Sequence, residues 1–275
     1  MAKQQLNVGN VAKLKSRNPV IEFDKLQLYF GDNYKINVDG ADGEIIMKQP
    51  SIGDIVRIGE KKYYSTLNVF TTNTTAFRLQ LWDQGVDWNK MSDFELFMNL
   101  VGTAEKEVYS TFLPHIDFVN FGMYEKRMPD SDKVVKVLYD QEHKIEINEE
   151  VYFHISQYLR NVFSISPDEK LTTDTIMKQW FIEKDRRELR NKEMKKKNGA
   201  DDDSGLLPLI SACCNHPGFK YTSGALRNIG VYQFYDSVKR LQIYESTTAL
   251  QKGLYSGMID GSKIKAEDYN FMKSI

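Results

Sequence analysis

Cys213, Cys214 and His216 are the residues whose chemistry would matter most if they met, because thiolates and an imidazole are zinc ligands. A zinc site draws four ligands that all reach one ion, whereas neighbouring side chains on a helix point about 100° apart. His115, His143 and His154 supply no further pair at metal-ligand spacing. The sequence therefore favours two small buried thiols at a helix end, with His216-Pro217-Gly218 as a stop and turn. Two adjacent cysteines also make no secreted disulfide framework, which points to a reducing, cytoplasmic site of synthesis.

The acidic residues are the next group to weigh. Asp201-Asp202-Asp203 would suit a hard cation but lacks the glycine-punctuated spacing of a calcium loop, and it reads as a solvated linker. Asp83, Asp87, Asp93 and Glu95 are close in sequence, and caps and exposed charges account for such a cluster. No phosphate-binding glycine loop and no Gly-x-Ser-x-Gly elbow occurs. The expectation is a protein without enzymatic activity, cofactor or bound metal.

The basic stretch from Glu183 to Lys197 carries eight Lys/Arg residues, Arg186, Arg187 and Arg190 among them, against four acids, a net of +4. Three readings compete. Interleaved acids at helical pairing distance favour a solvated, self-paired helix; the excess charge would also grip phosphates; and a docking arm for an acidic or helical partner needs the same pattern. Phe219, Lys220, Tyr221 and Arg227 could stack bases, although aromatics at such spacing belong more often to a core.

The elements that must position these groups follow from periodicity. In a chain of 275 residues with formal net charge −1 and 12% aromatics there is room for one large or two ordinary domains, and nothing marks a general polyanion binder. Residues 1–18 read as a loose polar tail without a signal peptide, and no stretch is long and apolar enough for a membrane span. Residues 19–50 alternate through Leu26, Leu28 and Phe30, then Tyr34, Ile36 and Val38, and predict a small β meander closed by Pro50.

Residues 51–115 predict helices, with capping boxes at Ser51/Asp54 and Ser92/Glu95 and helical faces at Tyr63, Tyr64, Leu67 and Phe70 and around Phe77, Leu81 and Trp82. Residues 116–147 predict a second sheet with strands from Ile116, Val134 and Lys144. In 148–198, Asn148 starts one helix, and Ser166-Pro167-Asp168-Glu169 signals the start of a long basic helix over Thr172 to Lys197 that is packed through Ile176, Met177, Trp180 and Phe181. Residues 199–205 form an acidic linker. In 206–275, Val231, Phe234, Tyr235, Val238 and Leu241 define one buried helical face of a C-terminal helical subdomain. The fold class is α+β, mainly helical, with two small antiparallel sheets.

Several of these stretches carry a family likeness. Ile46 to Ile55, Leu79 to Asp83, Met91 to Phe97, Asn215 to Gly218 and Val231 to Asp236 together resemble proteins of the tail-gene module of tailed bacteriophages, the tail assembly chaperones and small baseplate-assembly proteins. That resemblance implies a cofactor-free protein of the host cytoplasm, or of the virion if it stays in the particle. Its partners would be other tail proteins, either the tape-measure protein or baseplate and hub components, with a homo-oligomer allowed and no membrane; nucleic-acid binding through the basic helix 184–197 stays as the less favoured alternative. The docking surface would then lie on the basic arm and the C-terminal helices, at Arg186, Arg187, Arg190, Phe219, Tyr221, Tyr232, Phe234 and Tyr235.

Overall fold

The computed structural model describes residues 21–38, 43–127, 134–197 and 204–273. The expected tail 1–18, the turns at 39–42 and 128–131 and the acidic run 201–203 lie outside the described residues. Among the described ones the architecture is α+β, with eleven α-helices and two antiparallel sheets of two and three strands.

The first expected strand is a helix. Asp24 accepts from the amides of Leu26 and Gln27, and Gly31, at φ 76°, donates back to Gln27 and Leu28, so both ends of α1 (Lys25–Phe30) are capped. Leu28 is buried and Leu26 and Phe30 face out. The hairpin forms one segment later, between β1 (Tyr34–Asn37) and β2 (Glu44–Met47), with Tyr34 opposite Met47 and Ile36 opposite Ile45.

Both capping boxes are present. Ser51 and Asp54 start α2 (Ile52–Ile58), which ends at Gly59, and Ser92 and Glu95 start α5 (Asp93–Leu100). Between them lie α3 (Glu60–Thr71), which buries Tyr63, Leu67 and Phe70, and the short α4 (Arg78–Asp83). After α6 (Lys106–Tyr109) the strand expected from Ile116 is delayed, because Asp117 accepts from the Val119 amide and holds residues 118–120 in a 3-10 turn. The sheet is β3 (Phe121–Arg127), β4 (Val134–Asp140) and β5 (Ile145–Ile147) in sequence order. The Tyr124 ring lies over Gly122, where a Cβ would sit 2.8 Å from it, so a larger residue there would have to push that exposed ring aside.

Helix α7 (Glu149–Val162), capped by Asn148, runs through the middle of the core with Val151, Ile155, Tyr158, Leu159 and Val162 all buried. The helix start expected at Ser166 does not occur. Residues 166–174 run without regular secondary structure across the buried polar segment Thr71 to Thr75. Asn73 donates to the Asp168 carbonyl, the Lys170 amide donates to Thr75 Oγ1, and Trp88 and Asn89 donate to the carbonyls of Lys170 and Thr172. A backbone committed in this way cannot close helical turns. Helix α8 (Thr175–Lys197) begins after it, where Asp174 accepts from the amides of Ile176 and Met177.

The C-terminal stretch comprises α9 (Leu206–Asn215), α10 (Ser223–Leu226) and α11 (Val231–Tyr255). Leu206, Cys213, Leu226, Ile229, Val231 and Phe234 join the same core as the helices before them. The joint is made of backbone. The first amides of α2, which no intrahelical carbonyl can satisfy, donate from Ile52 to the Ile229 carbonyl at 3.0 Å and from Gly53 to the Arg227 carbonyl at 2.8 Å. The start of α9 is capped from a distance by Glu60, whose carboxylate accepts from the amides of Gly205 and Leu206 and from the Ser204 hydroxyl.

Candidate functional site

Helix α8 is attached to the body by an unusual seam. Phe181 and Ile182 pack on a satellite cluster with Leu81 and Trp88, outside the main core. Charged groups flank that cluster. Arg78 grips Asp185 with two parallel bonds, Nε to Oδ2 at 2.6 Å and Nη2 to Oδ1 at 2.5 Å, and its guanidinium lies 5.0 Å from the Phe181 ring centre. Lys178 Nζ sits 2.7 Å from Asp87 Oδ2 and 5.8 Å from the Trp88 ring, and Arg186 pairs with Asp83. Burial pushes the Asp87 carboxyl up, yet the Lys178 ammonium, the Asn89 amide and Lys90 outweigh it and hold the group below the usual carboxylate range.

The packed stripe is thus Lys178, Phe181, Ile182 and Asp185, at i, i+3, i+4 and i+7. This corrects the expected face of Ile176, Met177, Trp180 and Phe181: of those four only Phe181 turns inward, while Ile176 is 76% and Trp180 52% exposed. Ile176, Met177 and Trp180 instead form an outward apolar face, with the Lys184 ammonium 5.6 Å from the Trp180 ring. The seam residues Arg78, Lys178 and Asp185 escaped the sequence reading. Their signal, two opposite charges seven residues apart bracketing Phe181 and Ile182, is legible only if a charged residue is allowed to count as buried.

Beyond the seam α8 continues past α4, and a groove of about 630 Å³ opens between them, lined by Leu79, Asp83, Glu183, Arg186, Arg187, Leu189 and Arg190. Arg190 Nε donates to the Arg186 carbonyl at 3.3 Å, and Arg187 has no ion pair among the described residues. The three arginines expected to face a partner therefore share one groove. The expected self-pairing of the basic helix reduces, among the described residues, to Lys184 with Glu188 at 3.8 Å.

The aromatic candidates are placed elsewhere. Phe219 and Tyr221 meet edge to face at 5.6 Å, half-buried against the core, and the Tyr221 hydroxyl accepts from Gln233. Tyr232 is half-buried beside Gln49, the Tyr235 hydroxyl is 3.0 Å from that of Tyr64, and Phe234 is buried in the core. Phe234 offers a partner no surface; it holds α11 in place.

The thiols diverge. Cys213 is buried and its thiol is pushed up by that burial and by its neighbour, while Cys214 is exposed. Both nitrogens of His216 are engaged, Nδ1 accepting from the Gly218 amide at 3.0 Å and Nε2 lying 3.0 Å from Glu245 Oε1, which ties the end of α9 to α11. Among the described residues no three His, Cys, Asp or Glu side chains are placed to hold an ion. The acids flagged in the sequence serve as separate struts: Asp83 and Asp87 pair with α8, Asp93 accepts from the Thr74 amide and Glu95 completes its capping box.

These features define a helix-dominated α+β protein in which one long helix, α8, carries an exposed apolar face beside a cluster of arginines. Residues 196–275, from the end of α8 through α11, match the family model of the YomV second domain, a phage-type domain. No curated protein and no solved structure matches the chain. No helix among the described residues is long and apolar enough to cross a membrane.

Proposed function

We propose that this chain is a non-enzymatic protein of the phage tail module, acting as a tail assembly chaperone that holds the tape-measure protein or another tail protein through helical surfaces. The observation that carries the reading is the exposure of Ile176, Met177 and Trp180 side by side on α8. Apolar side chains grouped on a fixed helix cost solubility unless something covers them. The two-pronged ion pair between Arg78 and Asp185 gives that helix a defined direction, as a presenting arm requires. The phage-type match over residues 196–275 supports the setting.

Co-expression with neighbouring tail genes followed by affinity capture tests the reading. A tail protein should co-purify, and Trp180→Ser with Ile176→Ser should release it. Mass spectrometry of purified particles separates the chaperone from the rival role of a retained baseplate or tail-tip component: a chaperone is absent from the finished particle, and a fixed copy number there assigns the structural role instead.

A further inference from the structure

The groove between α4 and the outer half of α8 has a floor that outlasts its cover. An α-helix repeats its face about every seven residues, so Leu189 continues the stripe of Ile182 one step further out. Ile182 is buried under Leu81 and Trp88, whereas α4 begins only at Arg78, the partner of Asp185, and Leu189 is left 49% exposed beside Leu79. Around this apolar floor the charge is one-sided. Asp185 is spent on Arg78 and Asp83 on Arg186, which leaves Arg187 and Arg190 at the rim with only Glu183 opposed to them.

Resting on the reading of α8 as a docking arm, we infer that this groove seats an acidic amphipathic helix of the partner polypeptide, its leucine-type edge on Leu79 and Leu189 and its carboxylates on Arg187 and Arg190. A third helix laid along two others restores the cover that α4 does not supply, and the planar guanidinium fork suits carboxylates. A nucleic-acid strand fits less well. Its bases would find a leucine floor without an aromatic platform.

Fluorescence anisotropy on the full chain tests this with three labelled probes: a helical peptide of about 20 residues with leucine at every third and fourth position and glutamate between, the same peptide with lysine for glutamate, and a single-stranded oligonucleotide of about equal length. The acidic peptide should bind, and Arg187→Ala with Arg190→Ala should weaken it about tenfold, as should Leu189→Ser. Because these side chains are exposed, a circular-dichroism spectrum unchanged from wild type should accompany the loss. Equal binding of both peptides, failure of the acidic one, or preference for the oligonucleotide overturns the inference. Failure here together with tail-protein capture that persists in Arg187→Ala/Arg190→Ala moves the docking site elsewhere and leaves the chaperone reading standing, whereas the absence of any tail-protein capture by the wild-type chain defeats that reading itself.

Discussion

Arg78 on α4 and Asp185 on α8, 107 residues apart, form a two-pronged ion pair at 2.6 and 2.5 Å, with the guanidinium stacked on Phe181. Arg78 is 7% exposed, so the pair works largely without water to screen or replace it. Together with Lys178 to Asp87 and Arg186 to Asp83 it makes a row of three charged clasps along one helix. The small satellite cluster of Leu81, Trp88 and Ile182 lies beneath that row.

Breaking this clasp from one side should be costly. Asp185→Ala strands the Arg78 charge beside Phe181, and the expected loss is about 3 kcal/mol, the low end for a buried pair because Asp185 keeps some contact with water. Urea unfolding measures it, and limited trypsin digestion should cut α8 earlier than in the wild type. Replacing both partners, Arg78→Met with Asp185→Leu, should recover most of the loss. If the double variant is as unstable as the single one, the seam depends on something other than this pair.

The tyrosines set the alkaline limit of the fold. Burial pushes the hydroxyls of Tyr63, Tyr64, Tyr152 and Tyr158 far above the ordinary tyrosine range, and burial with Asp117 nearby pushes Tyr109 up to about 12. A raised folded value means that the folded state holds these protons more tightly than the unfolded chain. Their contribution is complete below the unfolded value of about 10 and is lost as pH rises above it. Spectrophotometric titration should show them ionising only in step with loss of the helical signal. Smooth ionisation of every tyrosine while the helices persist would contradict this packing.

Much of the fold could be read because it rests on local hydrogen-bond chemistry. Ser51/Asp54, Ser92/Glu95 and Asn148 each satisfy orphaned amides within three residues, so α2, α5 and α7 start where the sequence says they do. The misreadings share another cause. Leu26, Leu28 and Phe30 alternate like a strand, yet in a six-residue helix with two good caps one buried leucine suffices. Ser166-Pro167 looks like a helix start, but the backbone after it is claimed by Asn73, Thr75, Trp88 and Asn89, partners some 80 to 100 residues away. The face of α8 differs for a related reason: its inward residues Lys178 and Asp185 are partly buried through ion pairs, which apolar periodicity does not register. The groove shared by Arg186, Arg187 and Arg190 was legible as one charged helix face, but its other wall, Leu79 and Asp83, comes from α4.

Thiol chemistry should separate the adjacent cysteines. Cys214 is exposed, whereas Cys213 is 2% exposed and its thiol is pushed up by burial, so less of it is the reactive thiolate. A chromogenic disulfide reagent should titrate one thiol promptly in the folded protein and the second only when urea unfolds it. Cys214→Ser should abolish the prompt reaction and leave stability unchanged. Two thiols reacting together in the native state would mean that α9 does not hold Cys213 in the core.

The hydroxyl pair of Tyr64 and Tyr235, 3.0 Å apart, offers a check on what the C-terminal aromatics do. Tyr235→Phe removes one hydroxyl without changing shape and leaves the half-buried Tyr64 oxygen unpaired, a loss of about 1 kcal/mol. If Tyr235 serves the fold, a denaturation midpoint shifted by that amount should come with unaltered capture of tail proteins. Capture lost with stability intact would place Tyr235 in the interface instead.

Gly53 should prove the most sensitive glycine at the junction between α2 and the C-terminal helices. Its amide donates to the Arg227 carbonyl at 2.8 Å, flanked by Ile52 to Ile229 at 3.0 Å and by Val231 to the Pro50 carbonyl at 3.0 Å. A Cβ on Gly53 would lie 2.6 Å from the Arg227 carbonyl oxygen, and because that oxygen is backbone it cannot swing aside as a side chain could. Gly53→Ala must therefore pry residues 227–231 away from α2, at a cost of about 1–3 kcal/mol for an overpacked site. The damage should be directional. Hydrogen exchange should accelerate at Ile52, Gly53 and Val231 while the amides of α7, held by its own caps and by a face buried along its whole length, keep their protection. Gly59→Ala is the control: nothing lies within 4 Å of its added Cβ, but φ is 99°, so its penalty is backbone strain alone and should leave Gly53 and Val231 protected. Equal exchange profiles for the two variants would show that the C-terminal helices are not held through this backbone joint.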